Sequence, residues 1–144
     1  MPIFLFNEII LRNYTMLSIE PIPFKIPSVD SLGLKEADGL LKLDDQHLRL
    51  ELKEKDTILG LYESEVKEYA LSITDIRSIS FKKKFFKVVL EIQANSMKQV
   101  EHIPGMVQGK VKINIPKKYL QHVKKLHSAV RLEISEHRLR SMGD

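Results

Sequence analysis

Five histidines, His47, His102, His122, His127 and His137, and the run Phe81-Lys82-Lys83-Lys84-Phe85-Phe86-Lys87 are the residues of this chain best suited to chemistry or ligand contact. Two metal ligands on one helix face need a spacing of three or four residues, because only those positions lie one turn apart. His122 and His127 are five apart, which argues against a shared metal ion. The chain has no cysteine, and this removes thiolate ligands, a thiol nucleophile and a disulfide framework together. No Gly-x-Ser-x-Gly turn presents a serine. Gly39, Gly60, Gly105 and Gly109 are too scattered to form a phosphate-cradling loop. No residue is therefore assigned to catalysis or to a metal, no cofactor is expected, and the chain reads as non-enzymatic.

Within the basic aromatic run, Lys82, Lys83, Lys84, Phe85 and Lys87 are candidate contacts to an anion or a membrane. Lysines near a charged bilayer attract its headgroups, and an exposed phenylalanine can enter the interface. The competing and preferred reading is structural: lysine on a hairpin blocks unwanted sheet pairing, with Phe81 and Phe86 in the core. A second basic face comprises Lys110, Lys112, Lys117, Lys118, Lys124 and Lys125. These could meet nucleic acid phosphates, but arginines are few in this region and no reader motif is present. A solvated face opposite an apolar stripe is the stronger reading, and nucleic acid is not expected as a partner.

The elements that must position these residues follow from apolar spacing. Leu41 and Leu43, then Leu48, Leu50 and Leu52, alternate with charged residues on either side of Asp44-Asp45-Gln46, the pattern of a hairpin with one buried face. Glu65 to Ile73 reads as a strand after a loop containing Gly60. Ile76 to Phe81 and Phe86 to Ala94 form a second hairpin around the lysine run, and Gly109 to Ile115 is a last strand. At Pro116 the period changes to that of a helix, with Leu120, Val123, Leu126 and Val130 in one stripe and Tyr119 and Ile134 at its margins. The helix is expected from about Pro116 to at least Arg131. Pro21, Pro23 and Pro27 disfavour both helix and central strand, so residues 16–38 are expected to be an extended arm.

With 144 residues, 43% hydrophobic and 29% charged, the chain is suited to one folded domain. The apolar stretch Met1 to Leu11 has no preceding positive segment and is too short to span a bilayer, so residues 1–15 read as a leader or non-native extension and the protein as soluble and cytoplasmic. The domain proper is expected at 39–132, with 133–144 continuing the helix or fraying. From Asp30 to Asp75 there are twelve acidic residues against six Lys or Arg; from Ile76 to Lys125 there are twelve basic against two acidic. Such asymmetry favours an anionic partner at the basic end or head-to-tail self-association.

Strands first and one amphipathic helix last, together with Ile26-Pro27-Ser28-Val29, Gly33-Leu34, Glu36-Ala37-Asp38-Gly39-Leu40-Leu41, Leu48-Arg49-Leu50-Glu51, Ser64-Glu65-Val66, Ile73-Thr74-Asp75-Ile76 and Pro104-Gly105, give a chain that resembles a bacterial family of uncharacterised proteins with a pleckstrin-homology-like or GRAM-like fold. The resemblance covers about Ile22 to Leu132. It implies a mainly β split barrel of two antiparallel sheets capped by the helix, acting as a binding or scaffolding module without catalysis. In the lipid-binding domains of that superfold the loop between the first two strands is basic. Here that loop is read as Asp44-Asp45-Gln46, whose carboxylates would repel a phosphorylated headgroup. The leading functional expectation is a protein-binding or self-assembling module; the alternative is a peripheral domain for anionic lipid that uses the basic aromatic hairpin.

Overall fold

The alternation seen in the sequence closes into strands because each apolar position finds the same buried face. The computed structural model describes residues 19–143 except Ser31, Asp45, Glu63 and Ser64; the expectation for residues 1–15 lies outside them. The strands are β1 (Ile22–Ile26), β2 (Lys35–Leu43), β3 (His47–Asp56), β4 (Lys67–Ser72), β5 (Ile76–Lys83), β6 (Lys87–Ala94) and β7 (Lys110–Pro116). They form a single antiparallel sheet in the order β4-β3-β2-β1-β7-β6-β5. The sheet is open, with β4 and β5 as its edges, so the separate pair of sheets expected from the resemblance is replaced by one continuous sheet.

Two helices complete the described fold. The one-turn α1 (Met97–Val100) lies between β6 and β7, where Val100 and Ile103 plug the end of the core. A 3₁₀ turn, Lys117–Tyr119, leads into α2 (Leu120–Met142). Helix α2 buries Val123, Leu126, Ala129, Val130 and Ile134, so the predicted stripe is the buried one and the helix runs a further three turns past Arg131. Leu120 and Tyr119 pack at its margin. The sheet contributes Ile22, Phe24, Leu41, Leu48, Leu50, Leu90, Ile92, Ile113 and Ile115 to the same core. Alternate residues along β1, β6, β7 and the first half of β3 thus leave water, at about 25 cal/mol for each Å² of apolar surface removed.

The segment expected as a loose arm is instead part of the sheet, and β1 is its central strand. Proline is tolerated there because β1 meets β7 at one paired position only, Lys25↔Asn114. Pro23 lies two residues from Lys25 and turns the same way, toward β7, where few ladder bonds exist for its missing N–H to break. On the other side, β1 pairs with β2 along its whole length, from Ile22↔Leu41 to Ile26↔Ala37. Phe24 sits opposite Gly39, and a Cβ on Gly39 would lie 2.2 Å from the Glu51 carbonyl oxygen and 2.9 Å from the Phe24 ring. Only glycine permits that approach.

Helix α2 covers the free edge of β5. His127 donates Nε2–H to the Ile79 carbonyl at 3.1 Å, its ring standing edge-on to Phe81 at 5.0 Å, and Arg138 donates to the Arg77 carbonyl at 3.2 Å. Edge carbonyls that could recruit another strand are thereby satisfied internally. Burial pushes the His127 pKa below its ordinary value, the bond to Ile79 opposes this, and the nearby Arg131 charge adds to the lowering.

Two predictions follow from this packing. Gly39→Ala should cost about 2–3 kcal/mol by the overpacking of a closed site, read from urea unfolding; unchanged stability would mean that β2 and β3 are not so closely apposed. His127 titrates lower when folded than when unfolded, so its contribution is complete above the unfolded value near 6.5 and is lost as pH falls below it. Replacing His127 by Gln should flatten the fall in Tm between about pH 7.5 and pH 5, and parallel curves for both proteins would contradict the assignment.

Candidate functional site

The turn between β5 and β6 is closed by Lys84 N–H donating to the Lys87 carbonyl at 2.7 Å, which makes Phe85 and Phe86 the two central residues of the hairpin loop. A two-residue loop has no buried face, and both rings point to solvent: Phe85 is 80% and Phe86 82% exposed. They stack edge to face with centroids 4.5 Å apart. The expectation that Phe86 belongs to the core is therefore corrected, while Phe81 does pack against the core. The Lys117 ammonium, at the entry to α2, donates to the Phe85 carbonyl at 3.4 Å and braces the tip.

Lysines ring this pair. Lys82, Lys84, Lys87 and, from β7, Lys112 line one cleft of about 580 Å³ on the solvent face of β5, β6 and β7, together with Ser80 and Asn114. A carboxylate also reaches this cleft, Glu91, and it is held by Lys110 at 3.2 Å and Lys112 at 4.0 Å. Lys82, Lys83, Lys84 and Lys87 make no ion pair among the described residues. Lys83 alternates to the opposite face from Lys82 and does not line the cleft. Lys118 lies over the Tyr119 ring at 5.4 Å, and Lys124 and Lys125 are exposed on α2, outside this cleft. The two basic groups distinguished in the sequence thus meet only through Lys112 and Lys117.

The acidic half behaves differently. On the solvent face of β1, β2 and β3, Lys25 approaches Asp38 at 3.8 Å and Glu36 at 4.0 Å, Lys55 approaches Glu36 at 3.6 Å, and Lys42 meets Glu51 at 2.6 Å. Arg49 bonds both Asp44 and Glu68. Burial raises the Asp44 pKa, but hydrogen bonds from Arg49 and from the backbone N–H groups of Gln46 and His47 outweigh it and hold the carboxyl below its usual value. Exposed pairs of this kind contribute about 0–1 kcal/mol each to stability. Their larger effect is on the field: acid and base cancel over β1–β3, whereas the lysines of the β5–β6 tip remain uncompensated.

The turn Asp44-Asp45-Gln46 joins β2 to β3, because β1 precedes both. The loop between the first two strands is Pro27–Leu34, which carries Asp30 and no Lys or Arg. The expected place of that loop, Asp44-Asp45-Gln46, is therefore corrected to residues 27–34. The described histidines are dispersed. His102 packs on Tyr69 at 6.1 Å, His122 lies 3.7 Å from Glu20, His47 lies 3.7 Å from Asp44, and His127 bonds β5. Among the described residues no three His, Asp or Glu side chains gather where they could hold a metal, and no helix is long and apolar enough to cross a membrane.

Sequence reasoning missed Asn114, Ser80 and the exposure of Phe86. The signal for the last was present: a turn centred on Phe85-Phe86, with Lys84 and Lys87 as the closing pair, forbids an inward ring. Because the Lys82, Lys83 and Lys84 side chains make no ion pair among the described residues, replacing all three by Glu should change unfolding free energy by no more than about 0.5 kcal/mol per position; a larger loss in urea titration would show that they are structural. Compared with known proteins, the chain matches no family model, no curated protein and no solved structure.

Proposed function

We propose that this protein is a non-enzymatic binding module that docks on the surface of anionic membranes through the β5–β6 tip. The observation that carries the reading is the pair of rings, Phe85 and Phe86, held outward at four-fifths exposure among lysines that make no ion pair with the described residues. Four lysines contribute up to about 4 kcal/mol near an acidic bilayer, equivalent to a dissociation constant of about 1 mM. Charge alone therefore binds weakly. Each phenylalanine that leaves water adds about 1.5 kcal/mol or more, and together the two terms reach useful affinity. A cytoplasmic site of action fits this reading, since the inner leaflet carries the acidic lipids that lysines seek.

The finer fold assignment is also a proposal: a pleckstrin-homology-like split barrel. The strand order β4-β3-β2-β1-β7-β6-β5, the single paired position between β1 and β7, and a C-terminal helix lying along β5 support it. A protein-binding role has its own observation. Leu32 and Leu34 stand beside Ile58, Leu59 and Leu61, all exposed, on two loops joined where Thr57 N–H donates to the Leu34 carbonyl. Light scattering after size exclusion tests that role as self-association: a dimer split by Leu59→Ser would favour it, a strict monomer would not.

Liposome sedimentation tests the membrane reading. Vesicles containing phosphatidylserine should retain the protein and neutral ones should not; replacing Phe85 and Phe86 by Ser should weaken retention by about tenfold or more. Replacing Lys82, Lys83 and Lys84 by Glu should abolish it. Indifference of binding to these changes, or to lipid charge, would refute the reading.

A further inference from the structure

The geometry points to a site for one anionic single-chain amphiphile, a phosphate monoester head on an alkyl tail, in two adjoining clefts on the solvent face of the sheet. The inference rests on the membrane reading and deepens it by naming the lipid chemistry. The first cleft is the basic one described above. The second, about 500 Å³, lies beside the Lys25↔Asn114 pairing of β1 and β7 and is lined by Pro23, Gly39, Pro116, the exposed Phe86 and the largely buried Phe24 and Ile115, with Lys25 and Asp38 beside them. Lys87 and Asn114 line both, so the two clefts adjoin at these residues.

The two halves differ in kind. The slot offers the exposed Phe86 ring, Pro23, Pro116 and Gly39, beside the single β1–β7 pairing at Lys25↔Asn114. Asp38 reaches its rim, but that carboxylate lies 3.8 Å from the Lys25 ammonium and accepts from the Tyr62 hydroxyl at 3.1 Å. Beyond Asn114 the lining changes to Lys82, Lys84, Lys87 and Lys112, where the lone described carboxylate, Glu91, is already engaged. An apolar slot ending in a lysine-rich cleft matches a molecule whose one end avoids water and whose other end carries negative charge. Three lysines, Lys82, Lys84 and Lys87, without ion pairs among the described residues favour a dianionic phosphate over a singly charged carboxylate. A neutral alcohol of equal length leaves the lysines unused, and inorganic phosphate leaves the slot empty.

Isothermal titration calorimetry with the full chain tests this, using decyl phosphate, butyl phosphate, inorganic phosphate and decanol, each below the concentration at which it aggregates. Decyl phosphate should bind one to one and about tenfold or more tighter than butyl phosphate, since each methylene removed from water adds to affinity. Asn114→Trp, which fills the junction, and Pro116→Glu, which places a charge in the slot, should each erase the chain-length gain; urea unfolding checks that both fold. Equal affinity for the three phosphates overturns the slot, and equal affinity for decanol and decyl phosphate overturns the basic head site. If no alkyl phosphate binds while acidic vesicles are still retained through Phe85 and Phe86, the inference fails and the membrane reading stands. If neither binds, both fail.

Discussion

The junction between β1 and β7 is the constraint from which the rest of the structure follows. A sheet paired continuously across seven strands would hold its two halves at the ordinary strand-to-strand twist. Here the halves meet at a single paired position, Lys25↔Asn114, with Pro23 beside it and unable to donate. Ile22, Leu50, Leu90 and Ile113, from strands on both sides of this junction, are nevertheless buried in one core. Helix α2 lies against β5, and its Val123, Leu126 and Val130 complete the burial. A slot lined by Pro23, Gly39, Phe86 and Pro116 lies beside the same junction.

Close packing at Gly39 and edge capping by α2 are the local devices that hold this geometry. Gly39 lets β1, β2 and β3 coil tightly, because no side chain separates Phe24 from the Glu51 carbonyl. The Ile103–Met106 turn, with Pro104 second and Gly105 third at φ +82°, brings the β6–β7 connection against Ile26. His127 and Arg138 occupy the β5 edge with side-chain bonds that a helix can offer and a solvent-exposed strand would lack. Each device removes an alternative pairing as well as adding contacts.

How much of this was legible in the sequence differs between elements. The β2–β3 hairpin, β7 and the stripe of α2 are written in period-two and helical spacing and formed where the spacing put them, whereas the β5–β6 hairpin formed with its turn moved from Lys82-Lys83-Lys84 to Phe85-Phe86. Strand β1 was not legible, because its three neighbouring prolines speak locally against a central strand and the compensation is tertiary, in the gap beside β7. The placement of Phe86 was hidden by composition: phenylalanine is usually core, and only the turn register turns it outward. Of the candidate site, the lysines were visible as a run, but the meeting of Lys82, Lys84 and Lys87 with Lys112 depends on β6 lying between β5 and β7. The charge asymmetry along the chain survives folding for a reason the sequence does not state, namely that ion pairing is concentrated on β1–β3 and sparse at the tip.

The chain contains no cysteine, so a single Cys gives a unique labelling position. The most direct test of the account is an environment-sensitive fluorophore on Phe85→Cys, compared with one on Leu59→Cys, read through an aqueous quencher as acidic vesicles are added. The account predicts that the label at 85 becomes shielded and blue-shifted while the label at 59 stays as accessible as before. Shielding at 59 alone, or no shielding at 85, would contradict it.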